Sequence, residues 1–217
     1  MVVGPTRSVA PAVTVSSLGF GTWQWGNRLL WDYKTQDDQK LAIAYDAATK
    51  GPHRTLFDTG DSYGTGAELE GRAETLLGDF RAASPAPDAA AFATKLAVYP
   101  TRLTGASFEA ACRASLRRMR RDKIELVQAH WSAQRWQPWQ EPALWDGLAR
   151  CYEAGLAQAV GTSNCGPEQL VRVNRYWSDR GVPHGVNQVQ LSLLSTLPIE
   201  SGLLDACAEL GVTPIGY

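Results

Sequence analysis

The sequence has no close pair of cysteines. Cys112, Cys151, Cys165 and Cys207 are scattered, and neither they nor the three histidines, His53, His130 and His184, fall at metal-ligand spacing. That excludes a CxxC redox centre and leaves no metal site, so four reduced thiols are expected. Charge of one sign is not in excess: 21 basic and 22 acidic side chains leave a formal net charge of −1. No whole-chain field therefore draws the protein to nucleic acid or anionic lipid. No apolar run approaches the ~20 residues needed to cross a bilayer. Met1 to Ala12 are too polar for a signal-peptide core and too short for a full organellar transit peptide. An intracellular or already processed chain is expected, with a small-molecule partner and neither nucleic acid nor membrane.

What is present is the composition of a globular domain, 217 residues of which 44% are hydrophobic and 20% charged, enough for a sizeable core. Strand-like and helix-like segments alternate from about residue 35 to the end, as in a parallel sheet of βα units. Helices are expected over Asp37 to Lys50, Glu70 to Phe80, Phe108 to Arg121, Leu144 to Glu153, Pro167 to Trp177 and Glu200 to Leu210. Strands are expected at Thr55 to Phe57, Phe92 to Leu96, Ile124 to Ala129, Ala157 to Gly161, Val186 to Val189 and Val212 to Gly216. Such alternation fits a doubly wound open sheet or an eight-stranded barrel. Function clusters near one switch point in the first and at nearly every strand end in the second. Asp58, Lys95, His130, Ser163 with Asn164, Gln188 and Tyr217 each end a different expected strand, so the barrel is preferred.

Three of these positions, with Tyr63 in the loop after the first, suggest a reaction. Phe57-Asp58-Thr59-Gly60-Asp61-Ser62-Tyr63-Gly64 sets a carboxylate at a strand end and a phenol in the following loop. Ala93-Thr94-Lys95 and Gln128-Ala129-His130-Trp131 bring an ammonium and an imidazole to the next two ends. Hydride addition to a carbonyl leaves negative charge on oxygen, which a positioned acid must protonate. Tyr63 suits that role if its pKa is lowered by the charge of Lys95. Asp58 would keep Lys95 charged and aimed, and His130 would donate a hydrogen bond to the carbonyl oxygen.

With these motifs the chain resembles the aldo-keto reductase superfamily. The likeness extends to Leu18-Gly19-Phe20-Gly21-Thr22-Trp23, Gly161-Thr162-Ser163-Asn164, Val186-Asn187-Gln188-Val189 and Pro214-Ile215-Gly216-Tyr217. It implies an NADPH-dependent reductase of aldehydes or ketones with Asp58, Tyr63, Lys95 and His130 as its catalytic tetrad. It also implies that Ser163, Asn164 and Gln188 bind the nicotinamide carboxamide, that Tyr217 stacks on the ring, and that Gly21, Thr22 and Trp23 contribute to the cofactor site. Trp23-Gln24-Trp25-Gly26 and Glu74-Thr75-Leu76-Leu77-Gly78 look most like the plant and algal plastid branch, so chloroplast or cytoplasm is the expected location. Tyr217 falls at the end of the seventh counted strand, where the family continues with an eighth strand, further helices and phosphate-gripping segments. The expected architecture is an incomplete (β/α)8 TIM barrel over residues 13–217 behind a tail at 1–12. These residues alone are expected to bind NADPH poorly.

Competing readings are weaker or undecided. A barrel aldolase with a Schiff-base Lys95 leaves Tyr63, Gln188 and Tyr217 unexplained. A non-catalytic regulatory relative, as among potassium-channel β-subunits, stands as the alternative function. The Arg117 to Arg121 run reads as a solvated helix face, Cys165 as packing, and Gly19 to Gly26 lacks dinucleotide-fingerprint spacing. The loop Trp131 to Trp139 either lines the substrate pocket or packs on the barrel rim.

Overall fold

Strands buried at every position mark a sheet covered on both faces, and Ala90–Leu96 and Ile124–Ala129 have that character. The computed structural model describes residues 5–11, 13–64, 71–134 and 136–217. The start and last residue of the expected tail, Glu70 of the second expected helix and Arg135 of the tryptophan-rich loop lie outside the described residues. Among the described residues an antiparallel hairpin, β1 (Thr6–Ala10) and β2 (Val13–Ser16), comes first. Seven parallel strands follow in chain order as one sheet: β3 (Phe20–Gly21), β4 (Thr55–Asp58), β5 (Ala90–Leu96), β6 (Ile124–Ala129), β7 (Ala157–Ser163), β8 (His184–Val189) and β9 (Thr213–Gly216). The sheet curls into a half-barrel, an incomplete (β/α)8 architecture, with β3 and β9 at its edges.

The helices are α1 (Arg28–Trp31), α2 (Asp38–Ala48), α3 (Arg72–Ala83), α4 (Gly105–Arg118), α5 (Glu141–Glu153), α6 (Pro167–Ser178), α7 (Leu197–Glu200) and α8 (Leu203–Leu210). Helix α4 begins earlier than its apolar pattern suggests because Thr104 caps it, its hydroxyl accepting from the Ser107 amide at 3.2 Å. The single helix expected over Glu200 to Leu210 is two, broken at Gly202, whose φ of 73° lies outside the helical region.

Alternation along the strands sorts residues between two cores. Phe57, Phe92, Val127 and Val160 face outward and pack with Tyr45, Leu77, Phe108, Leu148 and Trp177 of the helices. Leu56, Ala91, Ala93, Leu126, Ala159 and Val186 face inward, where they meet Val9, Val13 and Val15 of the hairpin. The hairpin thus plugs the N-terminal end of the barrel, with Thr6–Ala10 of the expected tail forming its first strand. The reason is space: Ala91, Ala93 and Ala159 are small, and Gly185 lies so close to β1 that a Cβ there would sit 2.2 Å from the Val9 carbonyl oxygen.

The arginine run does not form a free basic face. Arg118 pairs with Glu74, Arg120 with Asp79 and Arg121 with Glu125. Glu125, 1% exposed, also accepts from Arg54 at 2.7 Å and from the Phe92 amide at 2.9 Å. This buried cluster ties β5 and β6 together at the end away from the strand ends singled out above. Among the described residues no helix is long and apolar enough to cross a membrane.

Candidate active site

The same alternation that places Leu56, Ala93 and Leu126 inside the barrel places Asp58, Lys95 and Gln128 inside it, one layer nearer the C-terminal ends. In the strand register Lys95 lies opposite Gln128, while Asp58 lies opposite Ala93, two residues before Lys95 on the same inward face. Lys95 Nζ donates to Asp58 Oδ2 at 2.5 Å and to the Thr59 carbonyl at 3.0 Å. Only 3% of Lys95 is exposed, and a buried ammonium is tolerable only with such partners. Its nitrogen lies 5.0 Å from the centre of the Tyr63 ring. The His130 ring meets Tyr63 edge to face, centroids 5.5 Å apart. The four residues picked from sequence therefore converge, from three successive strand ends, on one cavity of about 530 Å³.

The cavity wall continues through Gly21, Trp23, Ser163, Asn164, Gln188 and Tyr217. Tyr217 donates its hydroxyl to Asn164 Oδ1 at 2.9 Å, and the Asn164 amide donates to the Ser163 hydroxyl at 3.1 Å. Asn164 takes a left-handed φ of 60°, which asparagine tolerates better than most residues. Thr22 is not brought into the wall. It is fully buried, and its hydroxyl donates to the Asp58 carbonyl at 3.1 Å. Of the tryptophan-rich loop, Trp131 lines the cavity, whereas Trp136 and Trp139 stand exposed at its outside.

Three residues not singled out from sequence belong to the site. Gln24 and Ser62 line the cavity. Gln128 is completely buried, and its Nε2 donates to Asp58 Oδ1 at 3.3 Å. A carboxylate can only accept, which fixes the amide's orientation. Gly161 makes room for it, since a Cβ there would lie 3.1 Å from Gln128 Cγ. The signal for Gln128 was available: a polar residue in a buried strand, at the inward parity of Asp58 and Lys95.

Electrostatics corrects one expectation. Lys95 does not lower the Tyr63 phenol; burial raises it, with the negative charge of Asp58 adding to the effect. The ammonium is already held by Asp58 and a carbonyl, so its influence on the ring is muted and desolvation decides. Tyr63 is accordingly a neutral phenol, able to donate. His130 is pushed down to about 4, first by burial and then by the charge of Lys95, against Asp58. Burial likewise lowers His184, at the start of β8, to about 3.

Both imidazoles are neutral in the folded chain at a pH where the unfolded chain, with a histidine pKa near 6.5, takes up protons. Stability is therefore lost as the pH falls from about 6.5 towards 4, about 2 kcal/mol per imidazole being gone by pH 5. Urea titrations at pH 7.5 and at pH 5 check this. The midpoint should fall clearly at the lower pH, and equal midpoints would contradict the assigned burial of the two rings.

Comparison with known proteins places this geometry. Residues 17–217 match the aldo/keto reductase family. The chain is 47% identical over 209 residues to a chloroplastic pyridoxal reductase of Arabidopsis thaliana, covering 94% of this chain and 57% of that protein. Over 166 residues it is 30% identical to an aldo-keto reductase of Bacillus subtilis, covering 73% of this chain and 46% of that one. The chain thus spans about half the length of the curated relatives it matches. Among solved structures, an aldo-keto reductase from Klebsiella pneumoniae in complex with NADPH superposes with a TM-score of 0.75 at 22% identity, over 100% of this chain and 68% of that one. A glycerol dehydrogenase from Gluconobacter oxydans gives 0.78 at 24% identity, over 100% and 64%. At such identities the two structures establish the fold alone.

Proposed function

The chain belongs to the aldo/keto reductase family, and from that premise we propose that it reduces an aldehyde or ketone to an alcohol with hydride from NADPH. The observation that carries the reading is the convergence of Tyr63, Lys95, Asp58 and His130 on one cavity, with the Lys95–Asp58 ion pair at 2.5 Å beneath the phenol. The residues fit a nicotinamide. Gln188 Oε1 is buried against the cavity with no hydrogen-bond partner among the described residues. A buried acceptor left unpaired is costly, and a carboxamide N–H would satisfy it. Ser163 and Asn164 add a hydroxyl and an amide on the same wall, and Tyr217 offers a flat face.

Bound there, the dihydronicotinamide supplies hydride to the carbonyl carbon. Tyr63 then gives its hydroxyl proton to the carbonyl oxygen as charge builds on it. The adjacent Lys95 ammonium stabilises the phenolate left behind, and Asp58, held in turn by Gln128, keeps that ammonium in place. His130, neutral at physiological pH, donates one N–H to the same oxygen and orients the substrate. Trp23 and Trp131 give the cavity flat apolar walls, which favour an aromatic carbonyl compound. The name of the Arabidopsis relative supports pyridoxal as that compound and the chloroplast as the location.

The test is aldehyde-dependent oxidation of NADPH by the native protein that carries this sequence, with pyridoxal and with benzaldehyde. Consumption of NADPH matched mole for mole by alcohol is expected. Failure with every aldehyde and ketone tried would overturn the reading.

A further inference from the structure

We infer that Asp61 is a positioning residue for Tyr63, acting by locking together the loops that follow β4, β5 and β6. This rests on the reading of Tyr63 as proton donor. Tyr63 is not on a strand; its place depends on the turn Gly60 to Tyr63, closed by the Tyr63 amide donating to the Gly60 carbonyl at 3.0 Å. Asp61 is the second residue of that turn and is 3% exposed. Its backbone amide donates to the Lys95 carbonyl at 2.9 Å. Its carboxylate is committed on both oxygens. Oδ1 accepts from the Ala97 amide at 3.0 Å, and Oδ2 accepts from Arg102 Nη1 at 2.6 Å.

Arg102 is fixed in turn. The same Nη1 donates to the Ala97 carbonyl at 2.7 Å, and the guanidinium lies 4.8 Å from the Tyr99 ring centre. Gln140, 1% exposed and in the segment between His130 and α5, donates to the Tyr99 and Arg102 carbonyls, both at 2.8 Å. The three loops that carry or follow Tyr63, Lys95 and His130 are thereby joined, the first two through the charge-assisted contacts of Asp61 and Arg102 and the third through the amide of Gln140. On the other side, Tyr63 has a longer tie, its carbonyl accepting from the Ala73 amide at 3.4 Å. A carboxylate is the group this junction needs, because it must accept from an amide and a guanidinium at once. An amide in its place would turn an N–H towards Arg102.

A double-mutant cycle in the native protein tests the inference, using Asp61→Ala, Tyr63→Phe and the two combined. If Asp61 acts by placing the phenol, Asp61→Ala lowers kcat on the order of 10²-fold, as a misplacement of about 1 Å does. NADPH affinity, read by fluorescence, stays within about twofold. In the Tyr63→Phe background the same change costs less than about twofold more, because the group it would misplace is already gone. Should Asp61→Ala fail to fold in a thermal melt, Asp61→Asn keeps the acceptor for Ala97 and breaks only the Arg102 contact; its loss of kcat must likewise vanish beside Tyr63→Phe. Equal losses in both backgrounds, or an Asp61→Ala protein with unchanged kcat, would overturn the positioning role. Unchanged kcat in Tyr63→Phe alone is a different result: it overturns the donor assignment itself, and the inference with it.

Discussion

Replacement of Tyr63 by phenylalanine is expected to lower kcat by about 100- to 10,000-fold, the range general acid catalysis commonly supplies, while NADPH affinity changes little. One oxygen is removed, and the ring stays in place between Lys95 and His130, whose contacts are with the ring itself. The large effect follows from what surrounds the hydroxyl. His130 is neutral near pH 7 and half-buried, and the Lys95 ammonium is occupied by Asp58 and the Thr59 carbonyl. The ammonium would have to give up those bonds to replace the phenol as donor, and a neutral imidazole is too weak an acid to do so. Steady-state kinetics with benzaldehyde over a range of NADPH concentrations separate the two parameters. A fall in affinity with kcat intact would assign Tyr63 to binding instead.

The second large effect is on stability. Glu125→Ala is expected to destabilise the fold by about 3–5 kcal/mol, the usual cost of removing one partner from a buried charge cluster. The carboxylate takes hydrogen bonds from Arg121 at 2.9 and 3.0 Å, from Arg54 at 2.7 Å and from the Phe92 amide at 2.9 Å. These contacts hold its pKa below the usual carboxylate value although burial alone would raise it. Its removal leaves two guanidiniums facing each other and a buried amide without an acceptor. Arg54 is about one-third exposed, 35% of its side chain, and water regained there softens the loss towards the lower end. Urea unfolding measures it, and a change under about 1 kcal/mol would mean the cluster is solvated rather than structural. Because Glu125 lies near the start of β6 and the cavity at its other end, kcat of the folded variant should be unchanged.

The candidate site was legible because it is carried by strand ends, where a polar residue closing an apolar run is conspicuous. Asp58, Lys95 and Gln188 fall there by simple parity, and the barrel follows from their recurrence. Tyr63 was legible as a phenol in the loop after Asp58, whereas the turn that sets its position was not. What the sequence left hidden depends on partners remote in the chain. Thr6–Ala10 looks like a polar lead-in, and only the small inward side chains of Ala91, Ala93 and Ala159, together with Gly185, explain why it becomes a barrel plug. Strand β3 is two residues long, too short for any periodicity. Gln128 lies inside a correctly bounded strand, ahead of the strand end where a polar residue is conspicuous. The expected pKa of Tyr63 errs in sign because desolvation of the phenol decides it, and strand-end spacing does not show how deeply the ring is enclosed.

The central claim is that hydride from the nicotinamide reaches a carbonyl carbon in the cavity bounded by Tyr63, His130 and Gln188. The most direct measurement is to give the native protein pyridoxal and NADPH carrying deuterium at both C4 positions, and to examine the alcohol by mass spectrometry. One deuterium on the former carbonyl carbon is the result the account requires. Alcohol without deuterium, or NADPH left unconsumed beside unchanged aldehyde, would contradict it.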